Sequence, residues 1–102
     1  MRVLERRIQV LERGGQDAYK AKEKQWQALE ERLGNFPSKR HCVPLSNQSG
    51  TTLIWEREWD SLAAMEDAYT RLGSDPESKQ LSSVPSMVLD DQMEIYLLFD
   101  LA

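Results

Sequence analysis

The chain contains one cysteine and one histidine, so it has little of the two residue types that most often ligate metals or serve as nucleophile and base. Cys42 has no partner for an internal disulfide, and no Cys/His spacing of the zinc-binding kind occurs. No apolar run approaches the ~18 residues needed for a membrane-spanning helix. The first residues carry charge at once (Arg2, Glu5, Arg6, Arg7) with no apolar segment, which argues against a secretory signal. With the free cysteine this predicts a soluble protein of the reducing cytoplasm. The chain also lacks a glycine-rich phosphate loop, a HExxH helix and carboxylates paired as in a glycosidase. Basic residues number 13 against 17 acidic, a net charge of -4. They are interleaved with acids (Glu56-Arg57-Glu58, for example), so no basic stripe is available for nucleic acid.

What remains is an ordinary globular composition, 40% hydrophobic and 29% charged over 102 residues, which predicts a single domain spanning 1–102. Residues 2 to 11 alternate as a strand: Leu4, Ile8 and Val10 share one face, interrupted by Arg6, and Val3, Glu5, Arg7 and Gln9 share the other. Gly14-Gly15 breaks the strand. From Gln16 or Asp17 to Leu33, Tyr19, Trp26, Leu29 and Leu33 recur at helical spacing, with Lys22 a polar member of the stripe. The Glu/Lys run of this helix reads as a solvated face. Gly34-Asn35 and Pro37 end it.

Residues 38 to 46 alternate again, and Pro44 marks this strand as an edge strand. Asn47-Gln48-Ser49-Gly50 reads as a hairpin turn into a strand over Thr51 to Trp59, where Leu53, Trp55, Arg57 and Trp59 share a face. Asp60 or Ser61 caps a second helix carrying Leu62, Met65, Tyr69 and Leu72, closed by Gly73. Pro76 begins a short extra helix to Leu81. After a loop over Ser82 to Ser86, Met87-Val88-Leu89 forms a short extended piece. Asp90-Asp91-Gln92 turns the chain into a last strand from Met93 to Leu101. That strand is apolar on much of both faces, so the side bearing Tyr96 and Leu98 needs cover, which a second copy of the protein would supply.

The order strand-helix-strand-strand-helix-strand is the ferredoxin-like split βαβ arrangement: an α+β fold with a four-stranded antiparallel sheet and two helices on one face. Within it, Ile54-Trp55-Glu56-Arg57-Glu58-Trp59-Asp60-Ser61-Leu62-Ala63-Ala64 and the C-terminal Glu94-Ile95-Tyr96-Leu97-Leu98 resemble the dimeric α/β-barrel proteins. Antibiotic-biosynthesis-type monooxygenases, NIPSNAP-like proteins and stress-responsive barrel proteins belong to that group. The resemblance implies a homodimer with its sheets packed face to face, and a pocket between each sheet and its helices. It also implies cofactor-independent monooxygenase chemistry, in which a bound phenolic or enolic substrate itself activates oxygen. A non-catalytic ligand-binding or assembly module of the same fold is the alternative.

Trp26, Trp55, Trp59 and Tyr69 are candidate walls of an aromatic-lined pocket, against the plainer reading that they fill a small core. Trp59, at a strand end, is the one expected to be partly exposed. Arg6 and Arg57 interrupt apolar faces of neighbouring strands and would converge on a carboxylate or enolate, unless they are ion-paired to Glu5, Glu56 or Glu58. His41 and Arg57 are the weak candidates for a catalytic part, His41 as a base near neutral pH. Haem-degrading relatives carry their axial histidine on a helix, with an asparagine and a tryptophan. His41 falls on a strand and Asn35 and Asn47 in loops, so haem is not expected and no cofactor is assigned. Cys42 and His41, adjacent on a strand, point to opposite faces and cannot pair.

Overall fold

The structure, a computed structural model, describes residues 1–45, 50–83 and 87–101. The hairpin turn at Asn47-Gln48-Ser49 and most of the loop before Met87 lie outside the described residues. The elements are β1 (Val3–Leu11), α1 (Gln16–Leu33), β2 (Arg40–Cys42), β3 (Thr52–Trp59), α2 (Leu62–Ser74), α3 (Pro76–Ser83) and β4 (Val88–Leu97). The four strands form one antiparallel sheet in the order β2-β3-β1-β4. This is the ferredoxin-like order, with β1 and β3 central. The helices lie on one face, and the Cα trace measures 42 × 37 × 18 Å, two layers thick. No helix among the described residues is long and apolar enough to cross a membrane.

Each boundary has a local cause. Gly14 turns the chain at φ 80°, and Gly15 packs so closely that a Cβ there would meet the Glu12 carbonyl at 3.0 Å and Met87 Cβ at 3.1 Å. At the far end of α1 the Gly34 N–H donates to the Glu30 carbonyl at 2.9 Å, with Gly34 and Asn35 both at positive φ. Arg71 of α2 donates to the Leu33 and Gly34 carbonyls, tying the second helix to the end of the first. Ser61, not Asp60, caps α2, its Oγ accepting from the Ala64 N–H at 3.0 Å. The helix runs through Gly73 to Ser74, and Asp75 then caps α3 by accepting from the Glu77 N–H.

Three sequence expectations are corrected. Among the described residues β2 pairs over three positions, Arg40–Cys42, rather than over the expected 38 to 46, because Pro44 cannot donate to the ladder. Asp90-Asp91-Gln92 is not a turn: β4 runs unbroken through it and stops at Leu97. Its irregularity is a bulge at Leu89, since Val10 pairs with Asp90 and Leu11 with Val88. The third correction concerns β1. Its helix-covered face carries Val3, Glu5 and Leu11, all buried, whereas Leu4, Ile8 and Val10 lie on the open face of the sheet. The buried apolar cluster under α2 is Val3, Trp59, Met65 and Ala68, with Phe36 and Tyr69 packed against it.

Candidate functional site

The register sets the site. β1 and β3 pair Glu5 with Arg57 and Arg6 with Glu56, so the two arginines leave the sheet on opposite faces. Arg6 belongs to the open face, where it binds Glu56 at 3.0 Å, lies 3.7 Å from Glu94 and stacks over Tyr96. The expected convergence of Arg6 and Arg57 therefore does not occur.

On the helix side Glu5 is fully buried and saturated with donors. Arg57 Nε at 3.2 Å and Trp59 Nε1 at 2.9 Å donate to one carboxylate oxygen, and Tyr69 OH at 2.6 Å to the other. Burial pushes its carboxyl up, but the Tyr69 and Trp59 hydrogen bonds with the Arg57 charge outweigh that and hold it below the usual carboxylate range. Arg57, 3% exposed, also donates Nη1 to Glu30 at 2.9 Å and Nη2 to Glu30 and to the Tyr69 oxygen. Burial opposes its charge, and Tyr69 and Glu30 more than restore it, so its pKa lies above the ordinary arginine value. Burial raises the Tyr69 hydroxyl, which stays a donor at any ordinary pH.

A second set of charges continues this network toward α1. Lys39, just before β2, donates to Glu23 at 2.6 Å, lies 3.6 Å from Glu30 and sits 4.4 Å over the Trp55 ring. His41 is on the helix side of β2, opposite Trp55, with Nε2 3.8 Å from Glu23; Cys42 pairs with Ile54 on the other face. Burial raises the Glu23 carboxyl, and the bonds from His41 and Lys39 reverse the sign, keeping it below its ordinary value. Arg7 joins Glu5 to Asp91 of β4.

Beside this network lies a cleft of two adjoining cavities between α1, the sheet and α3. The inner one, about 340 Å³, is bounded by Trp55, Arg57, Tyr69, Lys39, Glu30 and Arg7. The outer one, about 280 Å³, is bounded by Tyr19, Lys22, Leu81 and Met87. Gln9, Glu23, Trp26, Ser82 and Asp91 line both. Volumes of this order suit small ligands.

Of the residues singled out from the sequence, Trp26, Trp55, Tyr69 and Arg57 meet at the cleft, and His41 reaches it only through Glu23. Trp59, expected to be partly exposed, is instead buried like Trp55, 2% exposed and committed to Glu5 and to Phe36 and Tyr69. Trp26 is the partly exposed one. Among the described residues its indole makes no hydrogen bond, ring contact or cation–π contact. Glu5, Glu23, Glu30 and Lys39 were not singled out as site residues. For the α1 pair a signal existed: Tyr19, Glu23, Trp26 and Glu30 step by four, three and four residues, one helix face, so these glutamates are not solvated. Among the described residues no three His, Cys, Asp or Glu side chains are grouped as a metal site.

No family model matches the chain, and no curated protein matches it significantly. Solved structures do. An uncharacterised NIPSNAP-like domain protein from Burkholderia xenovorans superimposes with a TM-score of 0.77 at 12% identity, over 99% of this chain and 88% of that one. A NIPSNAP family protein from Agrobacterium tumefaciens gives 0.74 at 19% identity, over 99% and 89%. The chain has the fold of the NIPSNAP-like proteins. SnoaB, a cofactor-independent oxygenase from Streptomyces nogalater, shares it with a TM-score of 0.67 at 13% identity, over 97% of this chain and 94% of that one. At these identities the likeness is one of fold, and the ferredoxin-like architecture is common to all of them.

Proposed function

We propose that the protein binds a small, flat molecule in the cleft between α1 and the sheet. The observation that carries this reading is Trp26: a tryptophan at the junction of two cavities whose ring makes no hydrogen bond, ring contact or cation–π contact among the described residues, next to aromatic walls whose rings do. A core tryptophan is packed and hydrogen-bonded, as Trp59 is. A platform for a planar ligand is left open, as Trp26 is. The test is a panel of aromatic compounds followed by the indole N–H resonances. Compounds that bind shift the Trp26 signal first, and Trp26→Ala loses the binding while keeping the fold. A panel that leaves that signal unmoved sinks the proposal.

The protein is further proposed to act as a homodimer through the open face of the sheet. Leu4, Ile8, Val10 and Ile54 lie there half-buried and Tyr96 is exposed, with no helix or strand of the described residues over them. A two-fold contact would cover each patch with its own copy. Light scattering at micromolar concentration should return twice 11.8 kDa, and a mass near 11.8 kDa refutes the dimer.

Cofactor-independent oxygenation is the second reading. Glu23 favours it as a carboxylate, ionised at neutral pH, that faces both cavities and can take the proton of a phenol or enol. Oxygen uptake with quinol-type substrates, abolished in Glu23→Gln, is the expected result. Binding without turnover across the panel leaves the non-catalytic module. Arg57→Ala would not discriminate, because Arg57 holds the fold together.

A further inference from the structure

We infer that the pocket proposed above, on whose existence this inference rests, selects ligands whose polar end donates hydrogen bonds or carries positive charge, and rejects carboxylates. The cationic donors in the inner cavity are already committed. Arg57 spends its guanidinium on Glu5, Glu30 and Tyr69. Lys39 is held by Glu23 and Glu30, and Arg7 by Glu5 and Asp91. An incoming anion would have to take a donor from one of these carboxylates and leave that carboxylate unpaired in a poorly solvated place.

The charge count points the same way. Arg7, Lys39 and Arg57 line the inner cavity opposite Glu23, Glu30 and Asp91, and Glu5, fully buried behind Arg57, adds a fourth carboxylate. Three cations against four anions leave the inner end negative by one charge; Lys22, on the wall of the outer cavity alone, is the cation that balances it there. A carboxylate offers about four acceptor sites. Asp91 takes both Arg7 and Gln9 on its Oδ2 atom. Acceptors therefore outnumber free donors along the cleft.

The aromatic walls divide in the same sense. Trp55 already faces Lys39, Arg57 and Arg7 at 4.4, 4.9 and 5.8 Å from its ring centroid. Among the described residues Trp26 has no such cation over its ring, and the carboxylates of Glu23 and Asp91 line the same two cavities. A ring lying on Trp26 with an ammonium or hydroxyl at its end meets an unused aromatic face and two carboxylates.

Three probes of matched shape test this: tryptamine, tryptophol and indole-3-acetate, each titrated at constant pH and salt while the Trp26 indole resonance is followed. Tryptamine should bind about tenfold tighter than indole-3-acetate, with tryptophol between them. In Asp91→Asn, a change at an exposed side chain, tryptamine should lose more affinity than tryptophol, and tryptophol more than indole-3-acetate, so that the advantage of the amine shrinks; Glu23→Gln should act in the same direction. Indole-3-acetate binding as tightly as tryptamine overturns the selectivity and leaves the pocket standing. If none of the three moves the Trp26 resonance, the pocket itself is refuted and the selectivity with it.

Discussion

Replacing Glu5 by leucine removes the acceptor around which the helix-side interior is built. In the native structure that carboxylate receives Arg57, Tyr69 and Trp59, and its side chain has no exposed surface. Glu5→Leu leaves the Trp59 indole N–H without its acceptor and the Arg57 guanidinium with Glu30 as its only carboxylate. Removing one partner of a buried ion pair costs about 3–5 kcal/mol. A domain of this length has a total stability of only about 5–15 kcal/mol. The variant should therefore melt roughly 12–25 °C lower. Arg57→Met should cost a similar amount, because it strands Glu5 and weakens the hold on Glu30. The double variant, Glu5→Leu with Arg57→Met, removes both charges together, and an apolar pair can fill that space at little cost. Its destabilisation should fall short of the summed single effects by about 2–3 kcal/mol. Urea unfolding followed by tryptophan emission, at one fixed protein concentration so that any self-association is held constant, measures all four proteins. Single effects that add within about 0.5 kcal/mol, or a Glu5→Leu cost below about 1 kcal/mol, would falsify the view that this pair acts as a unit.

Acid should act through the same carboxylates. Glu5 and Glu23 are held below the ordinary glutamate value in the folded protein, so the unfolded chain binds more protons than the folded one as pH falls. Their stabilisation is complete above that ordinary value, about 4.3, and is lost as pH drops through the lower folded values. The melting temperature should be flat from about pH 5 to 7 and fall below about pH 4, with a shallower fall in Glu5→Gln; an equal fall in both proteins refutes the assignment. Ser61→Ala should cost about 1 kcal/mol by freeing the Ala64 N–H, and a cost near zero by urea unfolding would show that the cap is replaced by water. Arg6→Met should leave probe binding in the cleft unchanged, since Arg6 lies on the open face with Glu56 and Glu94; a loss of probe binding contradicts that placement.

The junction from Leu53 to Leu62 was legible in its outline. Alternation put Trp55, Arg57 and Trp59 on one face, and the polar pair Asp60-Ser61 before an apolar helical stripe marked the cap without saying which of the two supplies it. The burial of Trp59 was not legible, because its Glu5 acceptor comes from another strand. β1 was harder to read because apolarity pointed the wrong way. Its leucine, isoleucine and valine face lies open, while Glu5 goes inside with its charge neutralised by Arg57, a residue 52 positions away. No local pattern announces such a pairing; only the register of β1 against β3 does. Asp90-Asp91-Gln92 misled for a related reason. Turn-forming residues lie within a strand because β4 is at the sheet edge, where charge is tolerated, and because Arg7 and Gln9 hold Asp91 from the neighbouring strand. Tyr19, Glu23, Trp26 and Glu30 could have been found on one helix face, but the abundance of Glu and Lys in α1 hid the two that turn inward.

Arg57 ties the fold to the cleft, and its position determines where specificity can vary. Its guanidinium lies about 5 Å from the rings of Phe36, Trp55, Trp59 and Tyr69, so it joins the apolar cluster under α2 to the polar wall of the inner cavity. A residue with that many commitments cannot be exchanged to suit a new ligand without loss of the interior. The outer wall is different. Trp26 is partly exposed and Asp91 exposed, and no buried group among the described residues depends on either as its sole partner. Substitutions there should change which molecule binds at small cost to stability, and substitutions at Glu5, Glu30 or Arg57 should change stability first. A set of single variants scored for both melting temperature and probe affinity should therefore separate into two groups along the cleft. A variant of Asp91 that unfolds the protein, or one of Arg57 that alters only affinity, would contradict that division.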